Sequence, residues 1–222
     1  SKVLVSFKES IKYFPKKKTI YTGNPRSEQI NDIKKISKET LGLKKDRPLV
    51  IIVMGSLGSL TMTKKLKEIL PNFKNKNYQV LLITGNNYYD DYKDIKLSSN
   101  VKIVPFLNDL IGYMKDANLI VTRSGASTIA EITSIGLPAI MVPSPYVTNN
   151  HQMMNAKALE EVGACLILEE DNFNSKNLIT LLDEVINDKD KLAKMKEALL
   201  KRKISNSASR IYEEILKLVR DE

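Results

Sequence analysis

From residue 48 onward, short apolar runs alternate with longer amphipathic segments. The runs are rich in β-branched residues and predict strands over residues 49–54, 80–84, 101–104, 119–122, 139–142 and 165–168. Between them, apolar residues recur at helical spacing over residues 60–70, 110–115, 128–135 and 152–162. Strands that alternate with helices predict βαβ units, and continuously apolar strands indicate burial on both faces. The pattern therefore predicts an α/β fold with a Rossmann-like parallel sheet and helices on both faces.

The chain on either side of this region follows other patterns. Residues 176–187, 191–203 and 208–219 predict helices at the C-terminal end, and residues 1–22 predict two short strands with a helical stretch. A Gly-Asn-Pro turn opens a polar, lysine-rich stretch over residues 23–47. Because the sequence starts at Ser1 and enters a strand almost at once, we expect a piece of a longer protein. The predicted organisation is a remnant of a preceding domain over 1–25, a connector over 26–47, a Rossmann-like domain over 48–205 and a C-terminal helix over 206–222.

Composition narrows the function classes. No apolar run reaches the roughly 18 residues that a transmembrane helix needs. The single cysteine, Cys165, excludes a disulfide framework; it is typical of a core residue and suits a reducing cytoplasm. The net charge of +9 comes largely from scattered lysines, which are compatible with a solvated surface, an anionic membrane surface or nucleic acid. The chain has neither zinc-finger spacing nor an RNP-like aromatic strand, which disfavours nucleic acid.

Two glycine-rich sequences follow predicted strands and precede predicted helices. The first is Met-Gly-Ser-Leu-Gly-Ser over residues 54–59, and the second begins Arg-Ser-Gly-Ala-Ser-Thr at residue 123. Glycines allow close backbone approach, and the N–H groups of a helix start attract phosphate. In the second sequence Glu131 could accept hydrogen bonds from ribose hydroxyls. The alternatives are a simple tight turn for the first sequence and a capping box between Thr128 and Glu131 for the second.

A third polar sequence, Asn-Asn-His-Gln-Met-Met-Asn over residues 149–155, follows the fifth predicted strand. His151, Gln152 and Asn155 can each donate and accept hydrogen bonds, which suits sugar hydroxyls and an acetamido group. A structural histidine is the alternative, and the absence of a second histidine or cysteine predicts no metal site. All three sequences follow strand ends, where open α/β sheets bind ligands. The residues alone therefore predict a phosphorylated, hydroxyl-rich ligand.

These sequences, in this order, resemble the MurG family. The similarity extends to Thr-Gly-Asn-Pro at residues 22–25, Gly-Leu-Pro-Ala at 136–139 and His-Gln-x-x-Asn-Ala at 151–156, and it covers nearly the whole chain. The resemblance implies the C-terminal, donor-binding half of a GT-B glycosyltransferase. The implied reaction transfers N-acetylglucosamine from UDP-N-acetylglucosamine to the C4 hydroxyl of lipid I, giving lipid II with inversion, and requires neither a bound cofactor nor a metal.

The resemblance also implies roles for individual residues. The expected diphosphate contacts are Gly55, Ser56 and Gly58, and the expected uracil contact is the backbone of Leu107. Ala126, Ser127 and Thr128 would line the nucleotide, with Glu131 at the ribose. The expected N-acetylglucosamine contacts are His151, Gln152 and Asn155. Arg26 is a further implied nucleotide contact, although it follows Pro25 directly, whereas the family arginine often lies two residues after that proline.

In the MurG family a preceding domain provides the acceptor site, the candidate general base and a membrane-docking patch. We therefore expect this chain alone to bind donor, to be soluble and to be inactive in transfer. The expected partners of the whole protein are lipid I and the anionic membrane surface at the cytoplasmic face of the bacterial membrane, without nucleic acid. The alternatives are a stand-alone donor-binding subunit of a split GT-B transferase, a GT-B nucleotide-sugar epimerase and a basic nucleic-acid-binding domain.

Overall fold

The computed structural model describes residues 1–55 and 58–220, with Arg220 described by its backbone alone. Two short strands, β1 (Val3–Val5) and β2 (Thr19–Tyr21), form a small parallel sheet of their own. The main sheet has six parallel strands, which are β3 (Leu49–Val53), β4 (Gln79–Ile83), β5 (Val101–Val104), β6 (Leu119–Thr122), β7 (Ala139–Met141) and β8 (Cys165–Ile167). Each lies within one residue of its predicted bounds, so the predicted sheet is confirmed.

The main sheet is buried on both faces. Every residue of β3 and β4 is buried, and successive residues enter opposite core layers because side chains alternate across a strand. Val50 and Ile52 pack in one layer, whereas Leu49, Ile51 and Val53 pack in the other. This two-sided burial explains why the strands are continuously apolar in the sequence.

Eight α-helices are described, and they are α1 (Arg26–Asp32), α2 (Leu60–Ile69), α3 (Leu110–Met114), α4 (Ala126–Ile135), α5 (His151–Glu160), α6 (Ser175–Ile186), α7 (Lys189–Lys201) and α8 (Ser207–Arg220). Helices α2 and α6 cover one face of the sheet, while α3, α4 and α5 cover the other. No helix formed by the described residues has both the length and the apolar composition that a bilayer crossing requires.

Helix α1 lies inside the stretch that the sequence predicted as a polar connector. Its single fully buried apolar side chain, Ile30, packs into the same core layer as α4. The hydroxyl oxygen of Ser27 lies 2.8 Å from the carbonyl oxygen of Asn24 and 2.9 Å from that of Ile204, so its single proton is shared between two acceptors and links the helix to the segment before α8. A short helix with one buried apolar residue produces no 3.6-residue repeat, so the hydrophobic pattern could not reveal it.

The strand order of the main sheet creates a crevice at its centre. The order is β5-β4-β3-β6-β7-β8, so the chain moves outward in one direction from β3 and in the other direction from β6 onward. In such a sheet, ligands bind at the carboxyl ends of the two central strands, where the order reverses. Val53 pairs with Thr122, so β3 and β6 end side by side and their following glycine-rich loops are neighbours.

Candidate functional site

A cleft of about 360 Å³ opens at this reversal point. Its walls come from the ends of β3, β4 and β6, the loop after β5, and helices α1, α3 and α4. The predicted site residues that line it are Arg26, Gly55, Leu107, Ser127, Thr128 and Glu131. Segments that are distant in the sequence therefore meet around one cleft.

The first glycine-rich loop combines a packing constraint with access to the cleft. Gly58 has φ +75°, and a Cβ there would lie 2.4 Å from the carbonyl oxygen of Thr84 and 2.6 Å from the Tyr88 ring. Gly55 also has a positive φ, of +100°, but no atom of the described residues outside its chain neighbours would lie within 4 Å of its Cβ, and it lines the cleft. Gly58 is therefore required by the fold, whereas Gly55 leaves open space at the cleft wall. Ser56 lies outside the described residues.

The N-terminus of α4 faces the cleft with unused amide groups. Gly125 is the N-cap and provides no side-chain acceptor, and the first intrahelical bond runs from the N–H of Ile129 to Gly125 O (3.0 Å). The N–H groups of Ala126, Ser127 and Thr128 consequently have no acceptor within the helix. Because α4 begins at Ala126, Thr128 is inside the helix, and the capping-box alternative is wrong. This helix end can bind an anion.

Glu131 is held by an ion pair on the α4 wall. Its Oε1 accepts a hydrogen bond from Arg26 Nε at 3.0 Å, and Arg26 Nη1 donates to Gln29 Oε1 at 2.9 Å. The Glu131 side chain is 18% exposed and the Arg26 side chain 41% exposed. Since the ion pair uses Oε1, the second carboxylate oxygen can accept hydrogen bonds from a ligand in the cleft.

The interior of the cleft is apolar, and the sequence did not identify the residues that form it. Besides Phe106 and the predicted Leu107, its apolar lining residues are Val53, Ile83, Leu110, Ile111, Met114 and Ile120. Phe106 is 51% exposed at the same cleft, beside Leu107. A flat, weakly polar ring can pack against such walls. In the sequence, strand-end and helix residues of this kind resemble ordinary core positions. Phe106 differs from them, because an aromatic residue in the loop directly after a strand and Pro105 is a recognisable candidate for ligand contact.

The third polar sequence lies beside this cleft without lining it. Asn155 Nδ2 donates to Ser124 O (3.0 Å), and Gln152 Oε1 accepts from the backbone N–H of Ser144 (2.9 Å). The Ser124 hydroxyl donates to Gln152 O (2.7 Å), so α5 is bonded directly to the second glycine-rich loop. His151 is exposed, with Nδ1 2.9 Å from the carbonyl oxygen of Thr148.

Three of the remaining predicted residues line other cavities. His151 and Asn155 line a separate groove of about 590 Å³, between α5 and the segment that follows β1. Ala126 lines a narrow cavity of about 50 Å³ on the α1 side of α4. The structure therefore gathers six of the twelve predicted residues in one cleft, places five beside it or behind it, and does not describe Ser56.

Comparisons with known proteins agree with this architecture. Residues 49–211 match the model of the glycosyltransferase family 28 C-terminal domain. The chain is 37% identical over 217 residues to the UDP-N-acetylglucosamine–N-acetylmuramyl-(pentapeptide) pyrophosphoryl-undecaprenol N-acetylglucosamine transferase of Bacillus pumilus, covering 96% of this chain. It spans 60% of the length of that relative.

Solved structures show the same fold. MurG of Acinetobacter baumannii superposes with a TM-score of 0.69 at 24% identity, over 85% of this chain and 55% of that one. A UDP-N-acetylglucosamine 2-epimerase from Listeria monocytogenes, described as putative, gives a TM-score of 0.70 at 15% identity, over 95% and 56% of the two chains. These likenesses are shared by a transferase and an epimerase, so they establish the architecture alone. The family-model match extends over most of the chain, and the chain accordingly belongs to glycosyltransferase family 28, whose C-terminal domain it contains.

Proposed function

We propose that this chain is the donor-binding part of the inverting transferase that converts lipid I to lipid II with UDP-N-acetylglucosamine as donor. The observation that supports this most directly is the cleft at the sheet reversal point. It combines helix amides that have no acceptor within the helix, a carboxylate and an apolar wall, and these three features suit the diphosphate, ribose and base of a uridine diphosphate. The name of the Bacillus pumilus relative describes the same transfer.

In this proposal each part of the nucleotide meets a matching surface. The diphosphate lies at the N-terminus of α4 and against Gly55, where the helix dipole and the free amides favour negative charge. The ribose hydroxyls donate to the carboxylate of Glu131. Uracil lies against the apolar wall and bonds to the backbone of Leu107. Arg26 is close to the nucleotide through its ion pair with Glu131.

The N-acetylglucosamine extends toward the start of α5. Asn155 uses its Nδ2 to brace Ser124 and retains its carbonyl oxygen as an acceptor, while Gln152 uses Oε1 and retains its amide as a donor. His151 is exposed beside them. These groups lie next to the loop that leads into α4, so a sugar linked to a diphosphate at α4 can reach them.

The chemistry is a direct displacement at the anomeric carbon. The C4 hydroxyl of the acceptor attacks, the bond to the diphosphate oxygen breaks, and UDP leaves with its negative charge next to the α4 N-terminus. Amides fixed in advance at this position stabilise that charge as it develops. In our proposal the preceding part of the whole protein supplies the acceptor site and the general base, and contacts the anionic surface at the cytoplasmic face of the membrane.

Ligand-dependent thermal unfolding tests the donor-binding role. UDP at millimolar concentration should raise the Tm of this chain, because a ligand that binds only the folded state stabilises it. Glu131→Ala should abolish the shift, while Glu68→Ala, which removes an exposed carboxylate on α2, should leave it unchanged. A wild-type chain whose Tm does not respond to millimolar UDP would refute the proposal.

A further inference from the structure

Glu170 is a buried carboxylate that the sequence did not single out. It follows β8, and its side chain is only 4% exposed. Its Oε2 lies 2.6 Å from Nη2 of Arg123, whose side chain is 10% exposed. The contact is a close ion pair rather than an aligned hydrogen bond, since neither carboxylate oxygen of Glu170 meets hydrogen-bond geometry with any described residue.

The ion pair joins the exits of three neighbouring strands. Arg123 is the first residue after β6, and its Nη1 donates to the carbonyl of Val142, the first residue after β7, at 3.1 Å. Its Nη2 reaches Glu170 beyond β8. Arg123 also directly precedes Ser124 and the N-cap Gly125, so its position sets where the second glycine-rich loop leaves the sheet.

Glu170 also contacts the helix that follows the first glycine-rich loop. Lys65, on α2, donates from Nζ to the carbonyl oxygen of Glu170. The backbone of Glu170 thus bonds α2, while its carboxylate bonds the stem of the loop before α4. One residue consequently contacts elements that adjoin both glycine-rich loops.

A buried ion pair is a poor device for stability alone. Removing both charges from water costs free energy that their attraction often does not recover, and apolar replacements of similar volume are often equally stable. Placement of the ion pair directly behind a binding loop favours a different purpose, because residues behind a site orient the groups that touch the ligand. We propose that Arg123 and Glu170 are positioning residues, which hold the second glycine-rich loop and the α4 amides in place for the nucleotide diphosphate. This inference rests on the proposed nucleotide-binding function.

The decisive experiment compares Glu170→Gln with a control, Asp183→Asn, whose carboxylate is also ion-paired but more exposed (37% against 4%). The control breaks another short ion pair, between Lys76 and Asp183 (2.6 Å), next to the amino end of β4 and away from the cleft. The affinity for UDP and the amide hydrogen exchange of Ile129 and Ala130, the first N–H groups that are bonded within α4, are measured at a temperature where circular dichroism shows each variant to be folded.

If Glu170 positions the loop, Glu170→Gln should raise the Kd for UDP by about tenfold or more. Exchange at Ile129 and Ala130 should accelerate severalfold, because the first turn of α4 opens more often when the loop before it loosens. Asp183→Asn should lower the Tm but change neither of these two quantities. A second variant, Arg123→Met with Glu170→Met, removes both charges; it should be more stable than Glu170→Gln while still binding UDP weakly.

The possible results separate the two proposals. If folded Glu170→Gln or the double variant matches the wild type in the Kd for UDP and in the exchange of Ile129 and Ala130, the positioning role is refuted. If Glu170→Gln does not fold, the double variant decides by the same criteria. If the wild type itself does not bind UDP, the nucleotide-binding function fails, and unchanged exchange at Ile129 and Ala130 in Glu170→Gln would then refute the positioning role as well.

Discussion

The ribose contact of Glu131 can be tested by changing the ligand and the protein together. If the carboxylate accepts hydrogen bonds from the ribose, removing the ribose hydroxyls should weaken binding only while that carboxylate is present. The ligands are UDP and 2′,3′-dideoxy-UDP, and the proteins are the wild type and Glu131→Ala. A cycle of this kind isolates the interaction between the two groups from their separate effects.

The structure bounds the expected magnitude. Oε1 of Glu131 is engaged by Arg26 at 3.0 Å, which leaves mainly Oε2 for the ribose. A hydrogen bond to a charged group contributes about 1.5–3 kcal/mol, so a coupling of about 2–3 kcal/mol is expected. This corresponds to roughly a 30- to 150-fold difference in Kd between UDP and the dideoxy ligand. The ion pair itself, with Arg26 41% exposed, should contribute no more than about 1 kcal/mol to folding.

Isothermal titration calorimetry of the four combinations gives the coupling directly. The wild type should strongly prefer UDP, whereas Glu131→Ala should bind both ligands with similar, weak affinity. Glu68→Ala is the control and should retain the wild-type preference. A Glu131→Ala variant that still discriminates between the two ligands as the wild type does would refute the ribose contact.

Further predictions concern the loops and the core. Gly58→Ala should destabilise the fold by about 3 kcal/mol in urea unfolding, because its Cβ would meet the carbonyl oxygen of Thr84 just beyond β4. The control, Gly42→Ala, has nearly the same φ (+77° against +75°), and no atom that the structure describes would crowd its Cβ within 4 Å, so it should cost only about 1 kcal/mol. Burial tends to raise the pKa of Asp116, but its bonds to Lys35 and to the Lys38 amide outweigh burial and lower that pKa below its ordinary value of 3.8. The free energy of unfolding near neutral pH should therefore be about 1 kcal/mol higher for the wild type than for Asp116→Asn. In urea unfolding at acid pH this difference should begin to fall below pH 3.8 and should be lost once the pH passes below the lowered pKa of native Asp116. Burial raises the pKa of the Cys165 thiol to about 12, so iodoacetamide near pH 8 should label the unfolded chain and leave the native chain unlabelled in mass spectrometry.

The sheet could be predicted from the sequence because its strands are apolar without interruption. Differences arise at element ends, where tertiary bonds extend an element beyond its apolar run. Strand β4 starts at Gln79 rather than Val80 since Gln79 pairs with Leu49 in the sheet. Its side chain also accepts from the Lys44 N–H and donates to the Lys44 carbonyl, which satisfies a buried amide. A glutamine in such a position has no signature in a hydrophobic pattern.

The candidate site was predictable where chemistry follows local sequence, and it was missed where two distant residues meet. Glycine loops and helix starts are local features, so the amide-lined wall of the cleft could be anticipated. The ion pair between Arg26 and Glu131 joins residues 105 positions apart, and the one between Arg123 and Glu170 joins two loops on different strands. A single sequence contains no periodic signal for such pairs, since only the fold brings the charges together.

Helix α1 shows how an unpredicted element can determine a predicted contact. Since the helix begins at Arg26 itself, directly after Pro25, Arg26 lies in its first turn, and its guanidinium reaches Glu131 on the adjacent helix α4. The same helix bonds the start of α8, where the carboxylate of Glu28 accepts from the Ala208 N–H at 3.0 Å. The altered spacing between proline and arginine therefore does not remove the arginine from the cleft. Its position depends on how α1 docks between α4 and α8, and the sequence reveals neither contact.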